Sequence, residues 1–185
     1  MSAILNSFFL VFISEMGDKT QLLALVLTLR YRRPWTILGG VLVATLLNHA
    51  LASWGGQWIS TQISRQWLSW ILGGTFIAFA GWILIPDQEG EVKESSKWGP
   101  FITTTIAFFL AEMGDKTQLA TVALGAKYDS IAFVTIGTTL GMLASNALAI
   151  FFGDQLLSKI PMKAIRIFAS LMFLIFGIMI LVLKS

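Results

Sequence analysis

Long apolar runs separated by short polar segments dominate the sequence. A helix needs about 20 mainly apolar residues to cross the hydrocarbon core of a bilayer. Six runs meet this requirement, and they predict an all-α integral membrane protein with six transmembrane helices. The predicted spans cover residues 3–29, 35–54, 67–85, 101–126, 130–152 and 164–183. The first and fourth are the longest, so we expect them to tilt or to break.

Composition excludes most soluble classes of protein. Hydrophobic residues make up 56% of the chain and charged residues 12%, whereas soluble domains have about 25% charged residues. There is no cysteine, which excludes disulfides and thiolate chemistry. No basic cluster suggests a nucleic-acid partner. The N-terminal run lacks a positive leader, so we interpret it as a retained first span that contacts the lipid bilayer.

Loop charges predict the orientation of the spans. Cytoplasmic loops of membrane proteins carry an excess of Lys and Arg. Eight basic residues fall on one side of the six-span arrangement and three on the other, so the richer side is predicted to be cytoplasmic and both termini to lie on the opposite side. The richer side has Arg30, Arg32, Arg33, Lys93, Lys97, Lys159, Lys163 and Arg166, and the other has Arg65, Lys127 and Lys184.

All tryptophans lie near predicted span ends, where indole rings favour the membrane interface. The alternative is that they pack in the protein core. The residues concerned are Trp35, Trp54, Trp58, Trp67, Trp70, Trp82 and Trp98.

An internal repeat divides the chain into two halves. Residues 15–22 and 112–119 both read Glu-Met-Gly-Asp-Lys-Thr-Gln-Leu, at an offset of 97. Such identity in a charged mid-span segment indicates duplication. Each half has three spans, so the second must enter the membrane from the opposite side, the inverted-repeat plan of many secondary transporters. We predict a first repeat over 1–86, a charged cytoplasmic linker over 87–99 and a second repeat over 100–185.

The repeated motif places charge close to the middle of the bilayer. Each Glu, Asp or Lys there costs about 2.5–3.5 kcal/mol, so six facing lipid would cost on the order of 15–20 kcal/mol. These side chains must face the protein interior or water. They are Glu15, Asp18 and Lys19 in the first motif, and Glu112, Asp115 and Lys116 in the second.

Helical spacing predicts a cation site. On an intact helix, residues three or four apart share a face, so Glu15, Asp18 and Gln21 would align. Glu112, Asp115 and Gln118 repeat this pattern. If the two faces meet, the oxygen ligands suit a hard divalent cation such as Ca²⁺ or Mn²⁺.

The remaining motif residues have competing interpretations. Lys19 and Lys116 follow their Glu by four residues and are predicted to pair with it, and helix-locking ion pairs are the structural alternative to a metal site. Thr20 and Thr117 either add hydroxyls to the site or bond back to the helix. Gly17 and Gly114 indicate either close helix packing or local unwinding that exposes backbone carbonyls.

Polar residues of the second and fifth spans are candidates for a supporting role. Asn48 and His49 correspond to Ser145 and Asn146 at the repeat offset. Hydrogen bonds between helices explain such residues equally well.

The doubled Glu-x-Gly-Asp-Lys-Thr motif, in two three-span halves, resembles the Ca²⁺/Mn²⁺:cation antiporter family, which includes Golgi calcium/manganese transporters and manganese exporters of bacteria and cyanobacteria. The resemblance covers essentially the whole chain. It implies proton-driven cation exchange, with Glu15, Asp18, Glu112 and Asp115 as ligands of the transported cation. It also suggests a bacterial inner-membrane or plastid-type member.

Together with the repeat, the resemblance implies a secondary transporter, of Mn²⁺ in the first place and Ca²⁺ in the second, that exchanges the metal for H⁺. With four acids in a poorly solvated space, some of them are expected to hold protons that a bound cation displaces. A channel and a non-transporting subunit are the alternatives. No nucleophile constellation indicates an enzyme, and no cofactor is expected. Whether the protein forms a homo-oligomer is left open.

Overall fold

The computed structural model describes residues 2–85, 98–157 and 162–183. Within these ranges the chain forms eight α-helices and no β-strand. The predicted linker over 87–99 lies largely outside the described residues. The helices are α1 (Ser2–Ser14), α2 (Lys19–Tyr31), α3 (Pro34–Gln62), α4 (Arg65–Ile83), α5 (Pro100–Glu112), α6 (Lys116–Tyr128), α7 (Ile131–Leu157) and α8 (Met162–Leu183).

The two motif-bearing runs are broken helices. Gly17 and Gly114 have φ of 78° and 79°, a left-handed conformation that glycine adopts without the steric cost of a side chain. Asp18 and Asp115 then take extended backbone with ψ of 167° and precede α2 and α6. The helix is therefore locally unwound at both glycines.

Equivalent breaks and turns recur in both halves. The helices α2 and α6 each end at a residue in the left-handed conformation, Arg32 with φ of 52° and Asp129 with φ of 48°. These positions are again 97 apart. Each helix closes on an earlier carbonyl, from Arg32 N–H to Thr28 O and from Asp129 N–H to Gly125 O. The repeat seen in the motif therefore extends to local backbone geometry.

Helix contacts cross between the halves. The helix α3 packs along α5 and α6, α7 packs along α1 and α2, and α4 packs against α8. Glycine permits the close approach: a Cβ on Gly40 would lie 2.7 Å from Thr104 Cβ, and one on Gly137 would lie 2.9 Å from Ser7 Cβ. The two pairs are related by the offset of 97 residues, so each half packs closely against the broken helix of the other.

Three described helices are long and apolar enough to cross a membrane: Pro34–Gln62, Ile131–Gly153 and Lys163–Val182. Shorter apolar helices cover Ala3–Ser14 and Pro100–Glu112, which are the first parts of the two broken runs. The helix α7 is kinked at Gly153, whose φ is 54°.

The tryptophans point outward. Their exposed fractions run from 38% at Trp82 to 74% at Trp35, so the alternative in which they pack in the core is wrong. The aromatic core instead lies between α4 and α8, where Phe76 and Phe173 are buried with ring centroids 5.9 Å apart.

Candidate cation site at the helix breaks

The two helix breaks bring carboxylates from both halves together. One oxygen from each of Glu15, Glu112 and Asp115 lies within 4.8 Å of the others. All three side chains are buried, with exposed fractions of 1%, 0% and 7%. We call these three residues the acid cluster. Glu112 Oε1 is buried without a hydrogen-bond partner among the described residues, so an acceptor oxygen is available there for a ligand.

Threonine hydroxyls hold the glutamates of the acid cluster. Thr20 Oγ1 donates to Glu15 Oε2 at 2.9 Å, and Thr117 Oγ1 lies 3.3 Å from Glu112 Oε2. Thr117 Oγ1 also lies 3.5 Å from Asp115 Oδ2. Both threonines therefore serve the carboxylates, as the first of their two interpretations predicted.

The two motif glutamines bridge each break to the opposite half. Gln21 Oε1 accepts the Gly17 N–H at 2.8 Å, and its amide nitrogen donates to Ser145 Oγ at 2.8 Å and to the Ser145 carbonyl at 2.7 Å. An amide hydrogen bond thus replaces a helical one that the break removes, and it fixes the position of α7 beside the site.

The second glutamine repeats this arrangement. Gln118 Oε1 accepts the Gly114 N–H at 2.6 Å, and its amide nitrogen lies 3.5 Å from Asn48 Oδ1. Asn48 and Ser145 are equivalent at the offset of 97. The repeat could therefore have predicted that Ser145 lies beside the site, although the sequence analysis assigned it no role.

The prediction that each lysine pairs with the glutamate four residues before it is wrong for Lys19. Lys19 Nζ instead pairs with Asp115 Oδ1 at 3.1 Å, across the two halves. The spacing argument assumed an unbroken helix, and the break at Gly17 removes the shared face. Lys116 Nζ donates to the Ile85 carbonyl at 3.0 Å and lies 5.9 Å from the centre of the Trp82 ring.

Asp18 is half-buried and lines a pocket beside the acid cluster. The pocket is partly open to solvent, and its cavity volume is about 20 Å³. It reaches from Glu15 and Asp115 to Ile85 at the end of α4 and Arg166 near the start of α8. The fourth predicted acid therefore lines the same pocket as Glu15 and Asp115 but lies outside the three-oxygen group.

The polar candidates of the second and fifth spans, Asn48, His49 and Asn146, are all buried. Asn48 Nδ2 donates to the Phe109 carbonyl at 3.0 Å, and Asn146 Nδ2 donates to the Met142 carbonyl at 3.0 Å. Neither ring nitrogen of His49 has a hydrogen-bond partner among the described residues. A helix-to-helix hydrogen bond through its imidazole is therefore not seen in the part of the chain described, although Thr135 Oγ1 reaches the His49 carbonyl at 3.4 Å.

The donor set is suited to a hard cation. Carboxylate oxygens are the preferred ligands of Ca²⁺ and Mn²⁺, and three of them converge here from two chain segments. Thr20 and Thr117 keep these carboxylates in place, and the glutamines hold the backbone that carries them. The site can therefore take a divalent cation between the two halves.

Comparison with known proteins finds similar sequences over nearly the whole chain. The family model described as "Divalent cation/proton antiporter GDT1" matches residues 3–91 and 100–185. A protein of Vibrio cholerae serotype O1 named "Putative manganese exporter" is 46% identical over 180 residues, covering 96% of this chain and 90% of that protein.

More distant relatives come from cyanobacteria and plants. A GDT1-like protein of Synechocystis sp. is 26% identical and covers 96% of both chains. GDT1-like protein 5 of Arabidopsis thaliana is 28% identical, covering 94% of this chain and 92% of its own. No solved structure matches the chain.

Proposed function

The chain belongs to the GDT1 divalent cation/proton antiporter family, and from this premise we propose that it exports Mn²⁺, and accepts Ca²⁺, in exchange for H⁺. Members of this family are transporters, not enzymes. The observation that carries the proposal is the acid cluster, in which Glu15 of one half meets Glu112 and Asp115 of the other within 4.8 Å.

The proposed architecture is six spans in two inverted repeats. Residues 1–86 form the first repeat and 100–185 the second, with a charged cytoplasmic linker over 87–99. The family match also falls into two segments separated near this linker. The broken pairs α1/α2 and α5/α6 each count as one span, and a broken helix at a repeat interface is a common device for ion binding in transporters.

The proposed metal ligands and supporting residues are those that the sequence predicts. We propose Glu15, Asp18, Glu112 and Asp115 as the ligands, with Gln21 and Gln118 contributing amide oxygens while they hold the breaks. The supporting or coupling residues are Lys19, Thr20, Lys116, Thr117, Asn48, His49 and Asn146.

The pocket supports export from the cytoplasm. Ile85 and Arg166 line it, and both lie at the ends of α4 and α8 that the loop charges assign to the cytoplasmic side. A cation entering from that side would enter a pocket that Glu15, Asp18 and Asp115 line. The bacterial relative named as an exporter agrees with this direction and with the inner membrane as the location.

Coupling to protons follows from the ligand chemistry. Carboxylates must be ionised to bind metal, so a bound cation displaces protons from the acids that it contacts. When the cation leaves on the far side, those acids take up protons from there. Inverted repeats that rock about a fixed site then exchange one species for the other.

Purified protein in sealed liposomes tests the proposal. A proton gradient should drive Mn²⁺ against its own concentration gradient, while a pH-sensitive dye records proton movement in the opposite direction. Glu112→Gln is the matched variant, because it keeps the side-chain volume and removes the charge. Mn²⁺ flux that never runs uphill would contradict exchange and indicate a channel.

A further inference from the structure

Lys19 of the first motif reaches across to the second half. Its Nζ lies 3.1 Å from Asp115 Oδ1. Lys19 places a positive charge directly on a member of the acid cluster.

The position of Lys19 brings it into competition with a bound cation. Asp115 shares the 4.8 Å group with Glu15 and Glu112, so one of the carboxylates that would hold a metal also holds the ammonium. A divalent cation among these carboxylates would lie close to Nζ, and the two positive charges repel each other. The divalent cation and the Lys19 ammonium therefore weaken each other's binding to Asp115.

Lys19 also has room to leave. Its side chain is 24% exposed, whereas that of Asp115 is 6% exposed. A lysine ammonium is a compact charge on a flexible four-carbon stem, so it can swing toward solvent while the carboxylate stays in place. The ion pair thus joins a movable cation to a fixed ligand.

We propose that Lys19 is a tethered cation that competes with the transported metal for Asp115, an inference that rests on the proposed function. Metal binding displaces the ammonium from the carboxylate. Return of the ammonium opposes rebinding and speeds release. Lys19 therefore sets the balance between affinity and turnover, and it acts as a positioning residue, not as a ligand.

Lys19→Gln removes the competing charge and keeps much of the side-chain length. The KM for Mn²⁺ should fall roughly tenfold, which corresponds to about 1.4 kcal/mol, and turnover at saturating Mn²⁺ should fall as well because release is slower. Loss of a purely structural contact would lower turnover without tightening binding. Calorimetric titration of Mn²⁺ into detergent-purified protein gives the affinity independently of transport.

Lys19→Arg tests the same idea in the opposite direction. A guanidinium can hold a carboxylate through two parallel N–H bonds, so it should compete better than lysine and raise the KM. This variant keeps the charge and the ion pair, so it remains informative if Lys19→Gln does not fold.

One further lysine, Lys127, provides the comparison. Lys127→Gln removes one positive charge from a side chain that lies over the Tyr128 and Phe176 rings, and it should keep wild-type KM and turnover.

The outcomes separate the two proposals. A lowered KM in Lys19→Gln, a raised KM in Lys19→Arg and an unchanged KM in Lys127→Gln support the competitor role. Wild-type KM in both Lys19 variants, or an equal fall in Lys127→Gln, would overturn it while leaving the transport function standing. Wild-type protein that neither binds nor moves a divalent cation would overturn the proposed function and the competitor role together.

Discussion

Asp115 is the residue on which the two halves converge. It belongs to the acid cluster, it pairs with Lys19 of the other half, and its side chain accepts no capping hydrogen bond from the backbone at the start of α6. A capping aspartate normally accepts backbone N–H groups at a helix start. Here the carboxylate lies beside Lys19 and the other acids of the cluster instead.

Asp115→Asn should abolish exchange of Mn²⁺ for H⁺ while the protein stays folded, because the change removes one charge and almost no volume. Proton movement driven by Mn²⁺ in liposomes measures the effect. Asp129→Asn is the matched control, since Asp129 sits at the end of α6 with φ of 48°, a conformation that Asn also tolerates. Exchange at the wild-type rate in Asp115→Asn would show that Asp115 is not part of the coupling site.

The buried imidazole of His49 provides a separate test, of thermal stability, at the scale of single residues. Its imidazole is fully buried and makes no hydrogen bond within the described part of the chain, and a buried polar group without a partner lowers stability. His49→Leu should therefore unfold at the wild-type temperature or above it in a thermal scan of purified protein. Asn48→Leu should unfold at a lower temperature, because Asn48 donates to the Phe109 carbonyl. A larger loss in His49→Leu than in Asn48→Leu would contradict this interpretation.

At the scale of helices, the glycines of the two motifs were compatible with either broken or continuous spans, and the sequence alone could not choose between them. Residue types and the offset of 97 were enough to predict that acids from both halves meet. The predicted partner of Lys19 was wrong because residues four apart share a face only along an intact helix. The presence of a glycine does not by itself predict a positive φ. The glutamine bridges to Ser145 and Asn48 depend on contacts between distant helices, which no local pattern encodes.

Gly114→Ala should weaken transport by straining the break. A Cβ there has nothing within 4 Å, but the φ is 79°, and holding a residue with a side chain in a left-handed conformation costs about 1–2 kcal/mol. The expected result is a lower unfolding temperature together with slower Mn²⁺ exchange.

Gly81→Ala is the control for this change. A Cβ on Gly81 would also have nothing within 4 Å, but Gly81 lies inside α4, where alanine is favoured over glycine by up to about 1 kcal/mol. The variant should therefore match or exceed wild-type stability. If both variants behave alike, the positive φ at Gly114 is not what the site depends on.

For the whole molecule, the contacts of the helix ends agree with an inverted arrangement. Gln57 Nε2, near the end of α3, donates to Asp129 Oδ1 at 2.9 Å, at the end of α6. These two helix ends therefore lie at the same face of the protein, as six alternating spans require. The pocket beside the acid cluster reaches Ile85 and Arg166, at the ends that the loop charges place on the opposite, cytoplasmic side.

Single cysteines test this topology directly, because the chain has no native cysteine. We expect Arg33→Cys and Gln88→Cys to react with a membrane-impermeant maleimide only from the cytoplasmic side, and Ser64→Cys and Ser185→Cys only from the other side. Arg33 and Ser64 are both exposed and lie at opposite ends of α3, so they form a matched pair across one helix. Labelling of Arg33→Cys and Ser64→Cys from the same side would show that α3 does not cross the membrane. Labelling of Gln88→Cys and Ser185→Cys from the same side would mean that the second half has an even number of spans, and the two motifs could not then enter the site from opposite faces.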